Sequence, residues 1–119
     1  MADGRRATGV AGEDAVAAWY VARGNEIVDR NWRVREGEID VIARDAGSVV
    51  FCEVKTRRGD AFGAPVEAVT ARKQQRLRLL ARLWLADQVT RVPALRFDVA
   101  SVVPDGRGGW NIDVFEAAF

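Results

Sequence analysis

The residues with the clearest capacity for chemistry are two acids and a lysine near the middle of the chain: Asp40, Glu53 and Lys55. Twelve residues separate Asp40 from Glu53, and one residue separates Glu53 from Lys55. Carboxylates that face each other repel, and a divalent cation between them would remove that repulsion. Mg²⁺ is typically held by one or two carboxylates plus waters and phosphate oxygens, and a nearby ammonium can reach the same phosphate or an attacking water. These residue types therefore suit metal-dependent phosphate chemistry, provided that the fold brings them together.

The surrounding sequence predicts a hairpin that does so. Residues 38–44 and 49–55 have the apolar, β-branched composition of strands, and the Asp-Ala-Gly-Ser between them is typical of a turn. An even-numbered loop centred in that turn places Asp40 directly opposite Glu53. The opposite face of the hairpin is wholly apolar and must be buried; its pairs are Ile39 with Val54, Val41 with Cys52, and Ala43 with Val50.

A solvated polar face is the alternative interpretation. The same register places Glu38 opposite Lys55, where the two could form a weak exposed ion pair while Asp40 and Glu53 splay into water. The amino-acid composition favours the metal-site interpretation, because Lys55 and Lys73 are the only lysines among eighteen basic residues. An ammonium is compact and rotatable, and its pKa shifts more readily than that of a guanidinium. Spacing alone leaves both interpretations open.

The length and composition of the chain limit the class of protein and the types of catalytic mechanism that are possible. A chain of 119 residues with 49% hydrophobic and 29% charged residues is typical of one globular domain, 1–119, without a membrane span or a secretory signal. The single cysteine, Cys52, cannot form an internal disulfide, so we expect a cytoplasmic location and a buried thiol. The absence of histidine excludes Ser-His-Asp catalysis, His-ligated zinc and His general bases. No phosphate-binding P-loop motif is present.

Basic residues are concentrated just after the acidic motif. Residues 55–82 contain eight basic and two acidic residues, although the whole chain has a net charge of only +1. A block of one sign beside a candidate site is typical of a surface that contacts a phosphate backbone, and a solvated basic helix is the alternative.

The remaining patterns predict an α/β domain. Residues 1–8 are expected to be disordered, a helix to span about 9–23 and end at Gly24, and a second helix to begin after its cap Thr70 and reach about residue 88. The buried stripe of the second helix is predicted to be Leu77, Leu80, Ala81 and Trp84. Strands are predicted at 26–34, 95–103 and 110–115 in addition to the hairpin. The order α-β-β-β-α-β-β implies a mixed sheet flanked by helices.

Several motifs carry a resemblance to known proteins. Asp40 together with Glu53-Val54-Lys55 resembles the half-motifs of the PD-(D/E)XK, or restriction-endonuclease-like, nucleases. The segments GEDAVA at 12–17, GEIDVIARD, VVFCEVKTR and RFDV at 96–99 resemble, over essentially the whole chain, the YraN-like family of small bacterial proteins. That family is described as predicted endonucleases similar to archaeal Holliday junction resolvases. The resemblance implies a restriction-endonuclease-like fold and Mg²⁺-dependent hydrolysis of DNA, with Mn²⁺ as a possible substitute.

The resemblance also implies roles for individual residues. Asp40 and Glu53 would hold the metal, and Lys55 would position or activate water. Glu13, in the first GE motif, would complete the metal site from its helix, although on its own an acid in a first helical turn is typical of a helix-dipole partner. Candidate contacts to DNA are Arg57, Arg58, Arg72, Lys73, Gln74 and Arg76, of which Lys73 is favoured for the scissile phosphate.

Substrate and assembly follow from the resemblance alone. Resolvase-like activity implies branched or junction DNA, and the near two-fold symmetry of a junction implies a homodimer. A nucleic-acid-binding adaptor that keeps the fold with little or no catalysis is the alternative function. A weaker third possibility is a protein-interaction module that uses an exposed aromatic residue such as Trp110.

Overall fold

The computed structural model describes residues 4–57, 69–89 and 94–119, with side chains from residue 9 onward. Two helices and five strands follow the predicted order. They are α1 (Gly4–Ala22), β1 (Glu26–Val34), β2 (Gly37–Arg44), β3 (Val49–Thr56), α2 (Ala71–Ala86), β4 (Leu95–Pro104) and β5 (Trp110–Phe115). The first helix begins at Gly4, inside the stretch 1–8 that was expected to be disordered, and Gly24 follows its end with a left-handed φ of 87°.

All five strands form one mixed sheet in the order β1-β2-β3-β4-β5. The β3–β4 pair is parallel, and the other three neighbouring pairs are antiparallel. The parallel pair requires a crossover, and α2 lies in that connection. The predicted α/β fold, a restriction-endonuclease-like mixed sheet flanked by helices, is confirmed.

Each helix covers one face of the sheet. Under α1, Val16 and Tyr20 pack on a buried cluster that consists of Val41, Ala43, Val50, Cys52, Ala100 and Val102. Under α2, the predicted stripe of Leu77, Leu80, Ala81 and Trp84 packs on Ile39, Ile42, Val49, Phe51 and Phe97. Thr70 caps α2, as predicted, by accepting a hydrogen bond from the Lys73 backbone N–H at 3.2 Å. The fully buried Cys52 is the expected core thiol.

The hairpin has the predicted register and the predicted faces near its turn, but not at its open end. Arg44 pairs with Val49, and the register continues as predicted to Val41 and Cys52, where the β2–β3 ladder of the described chain stops. Ile39 was expected to share a face with Val41, but it packs under α2 while Val41 packs under α1. Residues two apart in a regular strand share a face, so β2 is irregular at Asp40. The predicted pairing of Ile39 with Val54 is therefore wrong.

Two further sequence expectations concern the surface. Trp110 is half-buried and packs against the α1 cluster, so it is not the fully exposed aromatic residue of the interaction hypothesis. In the part of the chain that the structure describes, no helix combines the length and apolar character needed to cross a membrane.

Candidate functional site

Asp40 lies at the irregularity in β2, just beyond the last pair of the β2–β3 ladder. Its Oδ2 accepts a hydrogen bond from the backbone N–H of Val54 at 2.8 Å, so a side chain replaces the next backbone contact between the strands. The expectation that Asp40 and Glu53 are directly paired residues is therefore wrong, because the ladder ends at Val41 and Cys52. The acids nevertheless line one cavity, since Asp40 now reaches across to β3.

The environment of Asp40 disfavours its charged form. Burial raises the pKa of this carboxyl to about 7, and the negative charges of Glu13, Glu53 and Glu38 act in the same direction. The hydrogen bond from Val54 opposes the shift without cancelling it. A cation beside Asp40 would reverse this balance, because positive charge favours the carboxylate.

Glu53 supplies an unused acceptor atom. Its side chain is only 20% exposed, and its Oε1 lies 3.3 Å from the Lys55 Nζ. Its Oε2 is buried and has no hydrogen-bond partner among the described residues. A buried carboxylate oxygen without a partner costs free energy, so this atom is available to a ligand that supplies a positive charge or a proton.

The acids and basic residues meet in a cavity between the sheet and the first half of α2. Its volume is about 190 Å³, which exceeds the space of a single water. Three acids from β2 and β3 and two basic residues from α2 line it together with two leucines: Glu38, Asp40, Glu53, Lys73, Arg76, Leu77 and Leu80. One wall is thus acidic and the opposite wall is basic, as an ion and an attached phosphate would require.

Lys73 interacts with the lysine of the motif. Its contact with the Lys55 ammonium is the largest cause of a lowered pKa at Lys73, and the charge of Glu53 partly offsets the effect. Two ammonium groups held near one carboxylate carry excess positive charge. An anion such as a phosphate oxygen would relieve their repulsion.

Glu38 is a cavity residue whose contribution was missed from sequence. It does not pair with Lys55 as predicted, because the β2–β3 ladder of the described residues ends at Val41 and Cys52. On its other side Glu38 pairs with Arg33 of β1, and Glu38 Oε2 lies 2.8 Å from Arg33 Nη2. It lines the cavity that contains Asp40 and Glu53, and also a second one beside α1. Its place directly before the Ile-Asp of the motif was the available signal.

Glu13 lies in that second cavity, which has a volume of about 500 Å³. Burial is the largest cause of a raised pKa at Glu13, and a hydrogen bond from the Asn31 side chain opposes it. Within residues 4–57, 69–89 and 94–119, no three or more His, Cys, Asp or Glu side chains form a group able to hold a metal ion. Glu13 is therefore an electrostatic neighbour of Asp40 and does not join Asp40 and Glu53 in a preformed three-acid cluster.

The predicted DNA contacts have different settings. Lys73 and Arg76 line the main cavity, and Arg72 is exposed at the start of α2. Gln74 donates a hydrogen bond to the Val69 carbonyl at 3.2 Å, so its amide is partly occupied. The backbone N–H of Arg57 donates to the Val102 carbonyl at 2.8 Å, which fixes the chain just after β3. Arg58 lies outside the described residues.

Asp98, which had no predicted role, is a fully buried and fully paired carboxylate. Tyr20 Oη donates to it at 2.6 Å, Arg96 donates two hydrogen bonds of 2.9 Å, and the Ala117 N–H donates at 3.0 Å. These contacts tie α1, β4 and the segment after β5 together. Asp98 therefore has no free acceptor for a metal and serves the structure.

Comparisons with known proteins identify the family of this chain. The model of the uncharacterised protein family UPF0102 matches residues 12–102, which include both GE motifs and the Glu-x-Lys strand. A UPF0102 protein of Nocardia farcinica is 54% identical over 115 residues, covering 97% of this chain and 91% of its own. A UPF0102 protein of Symbiobacterium thermophilum is 50% identical over 114 residues, covering 96% and 97% of the two chains. The resemblance to the YraN-like family is thereby confirmed, and the chain belongs to the uncharacterised protein family UPF0102, the YraN-like family.

Proposed function

We propose that this protein is a metal-dependent endonuclease that hydrolyses phosphodiester bonds in DNA, with branched or junction DNA as its substrate class. The observation that supports this most strongly is the Oε2 of Glu53, which is buried and has no hydrogen-bond partner among the described residues. The fully buried carboxylate of Asp98, by contrast, receives four hydrogen bonds. Glu53 lines a cavity together with Asp40 and two basic side chains. A functional ligand accounts for such a group better than a structural role does.

The acids fit a hard divalent cation. Asp40 and Glu53 offer carboxylate oxygens, and one or two carboxylates with waters and phosphate oxygens are what Mg²⁺ typically takes. A cation there would give Glu53 Oε2 a partner and favour ionised Asp40. Glu13 assists through its charge. Mg²⁺ or Mn²⁺ held by Asp40 and Glu53 would supply Lewis-acid activation of the phosphate and would make a water molecule more acidic.

Basic side chains in and beside the cavity would bind the phosphate. Lys55, whose Nζ lies 3.3 Å from Glu53 Oε1, would orient an attacking water and stabilise negative charge that develops on the phosphate. Lys73 approaches from α2 and shares that charge. Arg76 lines the same cavity, and the exposed Arg72 with Arg57, Arg58 and Gln74 would extend the contact along the DNA backbone.

Cleavage of flapped and four-way-junction DNA in Mg²⁺ tests this proposal. The parent chain is compared with Asp40→Ala, Glu53→Ala and Lys55→Ala, and Asp113→Ala on β5 serves as a control acid away from the cavity. We expect each of the three site variants to lower the cleavage rate by at least about 100-fold, while the control retains the parent rate. Cleavage that survives all three changes would remove the assignment. Sedimentation of the protein with and without a four-way junction separately tests the homodimer that the resemblance implies.

A nucleic-acid-binding adaptor is the second candidate. The observation in its favour is that no cluster of three candidate ligands exists in the described chain. Calorimetric titration with Mn²⁺ discriminates the two, with and without DNA. The nuclease requires binding that is weakened in Glu53→Gln. The adaptor would bind DNA in EDTA as well as in metal and would show no Glu53-dependent metal binding.

A further inference from the structure

The regular alternation of side chains between the two faces of the sheet is interrupted in both β1 and β2, and the two interruptions lie side by side. In β2, Ile39 packs under α2, whereas Val41, two residues later, packs under α1. In β1, Trp32 packs under α2, whereas Arg30 forms an ion pair of 2.7 Å with Asp14 of α1. The register pairs Trp32 with Ile39 and Arg30 with Val41. The two changes of face therefore lie at the same level.

The residues at this level are Asn31 in β1 and Asp40 in β2. Asn31 has a φ of 50°, in the left-handed region that most residues avoid and that asparagine tolerates better than others do. A single left-handed residue reverses the alternation of a strand. Across from it, Asp40 directs its carboxylate to the neighbouring strand, where Oδ2 accepts the Val54 N–H at 2.8 Å.

The side chain of Asn31 lies on the α1 side of the sheet. It lines the same cavity as the Glu13 carboxylate of α1. The left-handed residue in β1 thus lies beside the helix that covers this face. Position 31 is exposed, so packing in the core does not impose its backbone conformation.

We propose that Asn31 is a positioning residue for Asp40. Its left-handed backbone sets the change of face in β1, and the paired strand β2 follows. The Asp40 carboxylate is thereby directed to β3, where it meets the Val54 N–H beside Glu53. Its consequence for cleavage rests on the proposed nuclease function. The orientation of the Asp40 carboxylate does not rest on that function, because it requires neither metal nor DNA.

Two substitutions separate the backbone effect from the side chain. Asn31→Gly keeps easy access to positive φ and loses the amide, whereas Asn31→Val loses the amide and strongly disfavours positive φ. Amide hydrogen exchange of Val54, measured by NMR on the full chain without metal, reports the Asp40 contact directly. We expect Asn31→Val to speed exchange at Val54 by roughly tenfold or more and Asn31→Gly to leave it near the parent rate.

Exchange at Val50, inside the β2–β3 ladder, provides the internal control. Equal acceleration at Val54 and Val50 would indicate general loosening and overturn the positioning role, as would equal effects of Gly and Val at position 31. Mn²⁺ affinity gives a second readout, which should fall in Asn31→Val and recover in Asn31→Gly. If the parent binds no metal and cuts no DNA, the nuclease proposal fails while the Val54 result still decides the role of Asn31.

Discussion

Gly12 of α1 lies directly against Thr56 of β3, and a β-carbon at position 12 would overlap the Thr56 side-chain oxygen. The next residue, Glu13, lies close enough to Glu38 and Asp40 of β2 for their charges to interact. Close packing of α1 on β3 therefore requires glycine in the first GE motif, and this packing positions the glutamate that follows it.

Gly12→Ala should destabilise the fold by about 1 to 3 kcal/mol, since the added methyl group forces α1 and β3 apart. The expected loss is notable because alanine is otherwise the better helix former. Urea unfolding of the parent and the variant measures the change in the free energy of unfolding.

The same helix offers a matched control. A β-carbon added at Gly9 would meet no neighbouring atom within 4 Å, so Gly9→Ala should stabilise by about 0.5 to 1 kcal/mol through helix propensity. Combining Gly12→Ala with Thr56→Ala should recover most of the loss, because the overlapping oxygen is gone. Equal effects of the two Gly→Ala changes would contradict the close approach.

Asp40 should make the metal-free protein less stable as pH rises. Its pKa is 3.8 in an ordinary setting and about 7 in the fold, so the folded state holds a proton that the unfolded state has released. The contribution of Asp40 to the free energy of unfolding is complete below about pH 4, decreases as the pH rises towards about 7, and is constant above that. The total decrease is up to roughly 4 kcal/mol.

Asp40→Asn should remove most of that dependence. The variant should match the parent near pH 4 and exceed its stability at pH 8, as measured by unfolding midpoints in EDTA. A residual slope of the same sign is expected from Glu13, whose pKa is also raised by burial. If the unfolding midpoints of Asp40→Asn and the parent change with pH in the same way, the fold does not raise the pKa of Asp40.

Lys73 and Arg76 should control DNA affinity through the phosphate backbone. Changing both to Gln should weaken binding to every sequence and reduce the salt dependence by about two phosphate equivalents. Arg78→Gln is the control on the same helix, because its guanidinium lies 5.2 Å from the Phe97 ring centre and not in the cavity. An unchanged salt slope in the double variant would move the binding surface elsewhere.

Tyr20→Phe should be costly for stability and neutral for cleavage. The lost hydroxyl leaves buried Asp98 with one donor fewer, which we expect to cost about 1.5 to 3 kcal/mol. The cavity of Asp40 and Glu53 is lined by neither residue. Thermal unfolding and single-turnover cleavage of the same sample distinguish the two effects, and a selective loss of cleavage would assign Asp98 to the site.

The regular parts of the fold were predictable from sequence because their patterns are local. The α2 stripe from Leu77 to Trp84, the Thr70 cap and the hairpin register near Arg44 and Val49 all follow from periodicity and turn chemistry. The two-residue spacing of Glu53 and Lys55 along β3 also placed their side chains together, and they lie 3.3 Å apart.

The departures arise where both β1 and β2 are irregular, at Asn31 and Asp40. Asparagine tolerates a left-handed backbone, but its residue type does not show that Asn31 adopts one or that Asp40 accepts the Val54 N–H, so the predicted Asp40–Glu53 and Glu38–Lys55 pairs fail. The partners of Asp98 are likewise distant in sequence, since Tyr20 lies 78 positions away.

Single-turnover cleavage of a labelled branched DNA across a range of Mg²⁺ concentrations tests the central claim most directly. The samples are the parent, Glu53→Gln and the control Asp113→Asn. Metal ligation by Glu53 predicts saturation with Mg²⁺ in the parent and control, and a rate at least about 100-fold lower in Glu53→Gln. A Glu53→Gln protein that cuts at the parent rate with the parent's Mg²⁺ dependence would contradict the assignment of this cavity as the active site.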